Sequence, residues 1–579
     1  MKNLKSLNSY FIKYKWHFLG GLIFVLLSSI FKIYQGVVVR EGTDHIMAIL
    51  KNNVRAEPEI FVRHGLVLIG LALASGFFLF LMRQTIIVMS RHIEYDQKNE
   101  IYAHYQKLDQ QFFKTHTTGD LMNRISEDVS KVRMYTGPAI MYLANTVVTT
   151  FTVLAFMINV NPKLTLMVFL PLPVLSLIIY IVSDKINKQG TKVQEELGNI
   201  TSQAQETFSA IRVIKAYARE RFFEGEMQDK SNIYRRAALR MANIEALFSP
   251  AMMLMVGMSV LITVWYGGIM VQRGEVGAGN IPEFILYVFN MTWPFAALGW
   301  VTSLIQRASA SQKRIDEFLK TKVAYERKTG APYQVKGDIE FRNVDFIYPE
   351  NGIKALNNIS FKVKSGQILG ITGPVGCGKS SIITALTRQY DVNGGEILID
   401  GKNLKEHDLK VVRDHMGIVT QDVFLFSDTI ANNISFGSKG KKISREKIEE
   451  AAEKAGVHEN IQLFPDKYET RVGERGVTLS GGQKQRISIA RALVSDPNIL
   501  LFDDYLSAVD TETEEKILGN LKSEMNGKTA IIISHRISSI IRADKILYVK
   551  DGKVTEEGSH EELMNLKKDY YQLYCLQSN

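Results

Sequence analysis

Ile368-Leu369-Gly370-Ile371-Thr372-Gly373-Pro374-Val375-Gly376-Cys377-Gly378-Lys379-Ser380 decides how the second half of this chain folds. The apolar run from Ile368 to Thr372 reads as a buried strand. It enters a glycine-rich loop that matches the phosphate-loop pattern at every required position. The glycines allow backbone N–H groups to wrap phosphate oxygens, and Lys379 is placed to reach the β- and γ-phosphates. Ser380 is placed to ligate magnesium at the start of a helix whose dipole favours anions. The candidate nucleotide contacts are therefore Gly373, Pro374, Val375, Gly376, Cys377, Gly378, Lys379, Ser380 and the adjoining Ser381. Cys377 fills a variable position and is assigned no catalytic role, although a bulky thiol reagent there is expected to block nucleotide entry.

Further along, Ile499-Leu500-Leu501-Phe502 followed by Asp503 reads as a second buried strand that ends in a carboxylate. That carboxylate is the expected magnesium-side partner of a phosphate loop. Between the two strands lies Leu479-Ser480-Gly481-Gly482-Gln483, closely followed by Gln485-Arg486, which a generic phosphate-loop ATPase does not need.

Upstream, six apolar segments near 16–39, 65–89, 138–160, 163–183, 247–272 and 282–307 are long enough to cross a hydrocarbon core. The third and fourth are separated by Asn161-Pro162, and the fifth and sixth by the loop around Gly274 to Gly279, so each pair is antiparallel. The first run, preceded by Lys2, Lys5, Lys13 and Lys15, is too long for a signal-peptide core and lacks a small-residue cleavage site, so it reads as a retained span. Two polar, helix-prone insertions, Ser90–Tyr135 and Asp184–Leu247, are rich in Lys, Arg, Glu and Gln. With the N-terminus inside, both insertions and the second half of the chain fall in the cytoplasm, as the positive-inside rule prefers. Lys32 and Arg83 sit within spans and read as snorkelling or facing a wet cavity, with a place on a substrate path as the alternative. Met252, Met253, Trp293 and Phe295 fit either a greasy cavity or helix packing.

The net charge of +10 over 579 residues is explained by that orientation, and no basic stretch interleaved with stacking aromatics supports nucleic-acid binding. Only two cysteines occur, Cys377 and Cys575, so neither a disulfide framework nor a zinc site is expected.

Taken in order, these motifs resemble the ATP-binding-cassette family, and the resemblance covers essentially the whole chain. It implies an all-α membrane domain of six transmembrane helices with long cytosolic extensions (1–320), a linker (321–336), and an α/β phosphate-loop ATPase domain (337–579). It places Tyr348 as the aromatic that stacks on adenine, and Gln421 as the glutamine that contacts magnesium and senses the membrane domain. His535 becomes the switch histidine on the γ-phosphate, while Ser480, Gly481, Gly482 and Gln483 form the signature that serves the nucleotide held by a partner cassette. Magnesium ligation falls to Ser380, Gln421 and Asp503. Ser507-Ala508-Val509-Asp510 resembles the loop that crosses to the partner, with Val509 where leucine is commoner. Val472-Gly473-Glu474-Arg475-Gly476 resembles a segment specific to exporters. Phe112-Phe113 through Thr118-Gly119-Asp120-Leu121, and Ala210-Ile211-Arg212-Val213-Ile214-Lys215-Ala216, look like the two coupling regions.

One residue departs from the pattern: Asp504 stands where a hydrolytically competent cassette of this family has glutamate. The resemblance then implies a heterodimer in which this chain holds a degenerate ATP site and completes a fast one, with catalytic roles at Asp504, His535, Gln421 and Lys379. The expected function is ATP- and Mg2+-dependent export or flipping of a hydrophobic or amphipathic substrate across a bacterial inner membrane, in contact with lipid and a second half-transporter. A homodimer with a slow aspartate base, an importer with the exporter fold, and an ATP-gated channel or regulatory subunit are the alternatives.

Overall fold

A computed structural model describes residues 2–52, 58–323, 333–473, 479–506 and 511–578. The chain divides into two compact units, Met1–Gln106 with Thr118–Thr321, and Lys107–Thr117 with Lys322–Asn579.

The described residues of the first unit are helical apart from short turns. Among the described residues, five helices are long and apolar enough to cross a membrane. The fourth expected segment, 163–183, runs through the helices Pro162–Phe169 and Pro171–Ser209, several of whose side chains lie outside the described residues. Pro171, which has no N–H to donate, marks the break between them, and Asn161 caps the first by accepting from the N–H groups of Lys163 and Leu164. The second span does not stop where its apolar run ends. Its helix continues from Pro58 to Tyr105, about 72 Å at 1.5 Å per residue, so more than half of its length projects beyond a hydrocarbon core of about 30 Å. The third span likewise extends towards the first insertion, through π-helical turns at Arg124–Asp128 and Tyr135–Ala139, the latter containing Pro138.

Ile33, Val153, Met157, Leu164, Phe284, Tyr287 and Met291 form an apolar core of this unit, with Met252 and Phe295 packed against it. Met253 and Trp293, by contrast, are exposed on the chain, as are Lys32 and Arg83. Gly36 is required at its position, because a Cβ there would come within 2.7 Å of the Tyr287 ring. The sequence reading missed Glu283, a carboxylate only 1% exposed. It is satisfied by hydrogen bonds from Tyr287 Oη at 2.8 Å and Asn280 Nδ2 at 3.0 Å, as an ionisable group at the end of a span must be.

The second unit holds a six-stranded sheet in the order Lys553–Gly558, Lys545–Lys550, Ile368–Thr372, Thr529–Ile533, Ile499–Asp503, Met416–Val419. The last five strands run parallel and the first pairs antiparallel to its neighbour. Alternate residues serve opposite faces: Leu500 and Phe502 enter one core, Ile499 and Leu501 the other. Burial on both faces is why these strands read as unbroken apolar runs. A four-stranded antiparallel sheet, ordered Lys354–Val363, Ile339–Ile347, Gly394–Ile399, Lys402–Asn403, completes the fold.

Candidate active site

In an open sheet of this kind, ligands bind outside the carboxyl ends of the parallel strands. Four of those ends carry the expected residues here. The strand Ile368–Thr372 delivers the phosphate loop, Ile499–Asp503 delivers Asp503 and Asp504, Thr529–Ile533 delivers His535, and Met416–Val419 delivers Gln421.

The phosphate loop is held by backbone that only glycine accommodates. Gly373 and Gly378 have φ of +146° and +101°, and a Cβ on either would collide with a carbonyl oxygen, that of Val549 at 2.0 Å or Ala355 at 2.1 Å. Lys379 opens the helix Lys379–Leu386, and its buried ammonium donates to the carbonyls of Gly373 at 2.9 Å and Pro374 at 2.7 Å. Burial pulls its pKa below the usual lysine range. Burial pushes the Cys377 thiol pKa up, an effect the Lys379 ammonium 3.7 Å away only partly offsets, and leaves it a poor nucleophile.

Ser380 Oγ donates to Asp503 Oδ1 at 3.0 Å. Burial raises the Asp503 pKa, an effect the Ser380 hydrogen bond partly offsets. A serine hydroxyl and a buried carboxylate side by side are the hard oxygen donors that magnesium takes when it arrives with phosphates, so these residues fit that ion. Asp504 adopts a left-handed backbone with φ of +46°, and its N–H is fixed to Ile533 O at 2.9 Å. His535 feels the charges of both Lys379 and Asp504; burial first, then Lys379, hold its pKa below the usual histidine range. Tyr348 is half-buried, with its hydroxyl 3.0 Å from Ser381 Oγ and its ring edge-on to Phe346 and Tyr390. Gln421 is exposed just beyond its strand.

The signature is not part of this cluster. Ser480 caps the helix Gly481–Leu493, accepting from the Gln483 N–H at 3.3 Å, while Gln483 Oε1 accepts from the Ser480 N–H at 3.0 Å. Among the described residues none of its hydrogen bonds reaches the phosphate loop. Glu474, Arg475 and Gly476, and all of Ser507, Ala508, Val509 and Asp510, lie outside the described residues. Two residues that the sequence reading passed over, Glu514 and Gln577, hydrogen-bond the segment that carries His535, and neither belongs to a motif.

A phosphate loop, an acidic strand end and a neighbouring histidine on one sheet, in a chain that also carries membrane-spanning helices, define an ATPase coupled to transport across a membrane. Residues 18–295 match the family described as ABC transporter transmembrane region, and residues 356–507 the one described as ABC transporter. The chain belongs to the ABC transporter family and is a half-transporter, one membrane region fused to one cassette. It is 33% identical over 577 residues to the multidrug resistance-like ATP-binding protein MdlA of Buchnera aphidicola subsp. Schizaphis graminum, covering 99% of this chain and 98% of the relative. It is 34% identical over 511 residues to the ATP-dependent lipid A-core flippase of Pseudomonas aeruginosa, covering 88% and 84%. Its fold is similar to that of a bacterial Atm1-family ABC exporter with ATP bound, with a TM-score of 0.79, 26% identity, and 98% of both chains covered.

Proposed function

We propose that this half-transporter exports or flips hydrophobic or amphipathic molecules across a bacterial inner membrane, with its N-terminus and cassette in the cytoplasm, and that it does so in a heterodimer whose slow ATP site is its own. The class of cargo rests on the relatives, one named for multidrug resistance and another for lipid A-core flipping. Residues Gly373 to Ser381 and Tyr348 would hold ATP, and Ser380, Gln421 and Asp503 would hold Mg2+, which neutralises phosphate charge when bound. Lys379 and His535 would contact the terminal phosphates. Ser480 to Gln483, at the positive end of a 13-residue helix, would complete the nucleotide site of the partner. Closing two such cassettes on ATP, and drawing the coupling regions with them, would switch the membrane cavity between its two faces. Within the second coupling region Ile211 and Val213 are exposed apolar side chains, which suits docking on a partner cassette.

The observation that carries the unequal-site reading is Asp504. A general base must come within about 2.6–3.2 Å of the water it activates, and aspartate is one methylene short of glutamate. A backbone shift could make up the difference, but the Asp504 N–H is hydrogen-bonded to Ile533, and the preceding Asp503 is tied to Ser380. In the natural complex Ser480→Arg should therefore abolish most ATPase activity, whereas Asp504→Asn should leave most of it. A rapidly hydrolysing, transporting homodimer of this chain alone, inactivated by Asp504→Asn, would refute the reading.

A further inference from the structure

The segment Ser534–Ser539, which presents His535, keeps one ladder-type hydrogen bond beyond the strand end, from the Ser534 N–H to Ile371 O at 3.1 Å, and two side chains distant in sequence hold the residues that follow. Gln577, near the end of the helix Asp569–Ser578, donates from Nε2 to the His535 carbonyl at 2.7 Å and accepts the Ile537 N–H on Oε1 at 2.9 Å. One planar amide thus grips the main chain on both sides of Arg536, and only a side chain with a donor and an acceptor on the same group can do this. On the other side Glu514, 3% exposed, binds the Arg536 guanidinium and accepts from Ser538 Oγ at 3.0 Å and Ser539 Oγ at 3.2 Å.

The helix that carries Gln577 is itself anchored. Tyr570, fully buried in the sheet's core, donates its N–H to Glu556 at 3.2 Å and pairs its hydroxyl with His560 at 2.8 Å. Seven residues of helix, about 10 Å, then run from that anchor to Gln577. Gln577 is therefore a fixed support, although it is exposed and lies far in sequence from every motif.

We infer that Gln577 is a positioning residue for the switch histidine, setting where the His535 ring meets the terminal phosphate of the nucleotide held by this chain. The inference rests on the proposed contact between His535 and the γ-phosphate. It follows that Gln577 contributes to telling ATP from ADP while touching neither.

The test uses the full-length complex in lipid and measures photolabelling of this chain by azido-ATP and azido-ADP, competed with ATP and ADP. Gln577→Ala should weaken ATP about tenfold, the size of a lost charge-assisted contact, and leave ADP unchanged. Gln577→Glu, which keeps the acceptor but turns a carboxylate on the His535 carbonyl, should do the same. The double variant Gln577→Ala with His535→Ala should be no worse than His535→Ala alone, because the two act through one ring. If His535→Ala selectively weakens ATP but Gln577→Ala does not, the inference fails and the site assignment stands. If His535→Ala leaves the ATP-to-ADP preference untouched, the site assignment itself fails. Equal losses of ATP and ADP binding in Gln577→Ala would mean a general disturbance and would also overturn the inference.

Discussion

Ser380 Oγ donates to Asp503 Oδ1 at 3.0 Å, tying the first turn of the phosphate-loop helix to the end of a strand two places away in the sheet. The pair is costly without its ligand, because burial disfavours the Asp503 carboxylate and raises its pKa. A raised folded-state pKa means that the native protein holds the proton over a window where the unfolded chain has lost it. Stability therefore falls as pH rises through that window. Asp503→Asn should consequently melt higher than the parent at pH 7 in the absence of nucleotide, with the gap narrowing towards about pH 4, the ordinary aspartate range. The same variant should lose the thermal stabilisation that Mg-ATP gives the parent. Thermal unfolding of the full chain across pH, with and without Mg-ATP, checks both; an Asp503→Asn protein that melts lower than the parent at pH 7 would contradict the burial argument.

The loop glycines separate conformational cost from steric cost. Gly376 has φ of +80° and no atom within 4 Å of the position a Cβ would take, so Gly376→Ala should cost only the left-handed backbone, about 1 kcal/mol. Gly378 has a similar backbone, but its Cβ would sit 2.1 Å from Ala355 O. Relieving that clash means moving the loop or the strand Lys354–Val363, and Gly378→Ala should cost about 3 kcal/mol or more. Comparison of melting temperatures distinguishes the two; equal losses would show that the loop yields freely.

Much of this was legible in the sequence because the chemistry is local there. The strand, loop and helix around Lys379 follow one another along the chain, and five-residue apolar runs announce strands buried on both faces. What escaped the reading is long-range. Nothing in Gln577 distinguishes it from a solvated tail residue until the fold brings it to His535, 42 positions away. Glu514 reads as one acid in an acidic helix, yet it is buried because Arg536, Ser538 and Ser539 converge on it. In the membrane unit hydropathy located the apolar part of the second span, but the helix runs on to Tyr105 because polar residues continue a helix once neighbouring helices support it.

Tyr348 tests the adenine assignment. Its hydroxyl is only a link to Ser381, so Tyr348→Phe should leave the ATP requirement within about twofold, the ring being what stacks. Tyr348→Ala should raise the requirement about fivefold, the equivalent of roughly 1 kcal/mol of aromatic stacking, while Tyr348→Trp should not. ATP titrations of photolabelling provide the comparison, and equal effects of alanine and tryptophan would count against stacking.

Asp504→Glu asks whether side-chain length alone would account for the slow turnover proposed for this chain's site. The substitution has a structural cost, because φ at this position is +46°, a conformation that aspartate visits more readily than glutamate. A loss of up to about 1 kcal/mol, or roughly 2 °C in melting temperature, is expected. Against that, the longer side chain carries its carboxylate outward by one carbon–carbon bond, from backbone already pinned by the hydrogen bond to Ile533. In the proposed heterodimer the gain would be masked by the partner's fast site, so the informative background is one in which the partner's catalytic glutamate is replaced by glutamine. There the parent chain should hydrolyse ATP only at a residual rate, and Asp504→Glu should raise that rate at least about tenfold, the lower range of general-base effects being about 100-fold. An increase that accompanies the small loss in melting temperature supports the length argument, because a protein merely made more stable would move both quantities the same way. No increase would mean that the missing methylene is not what slows the site.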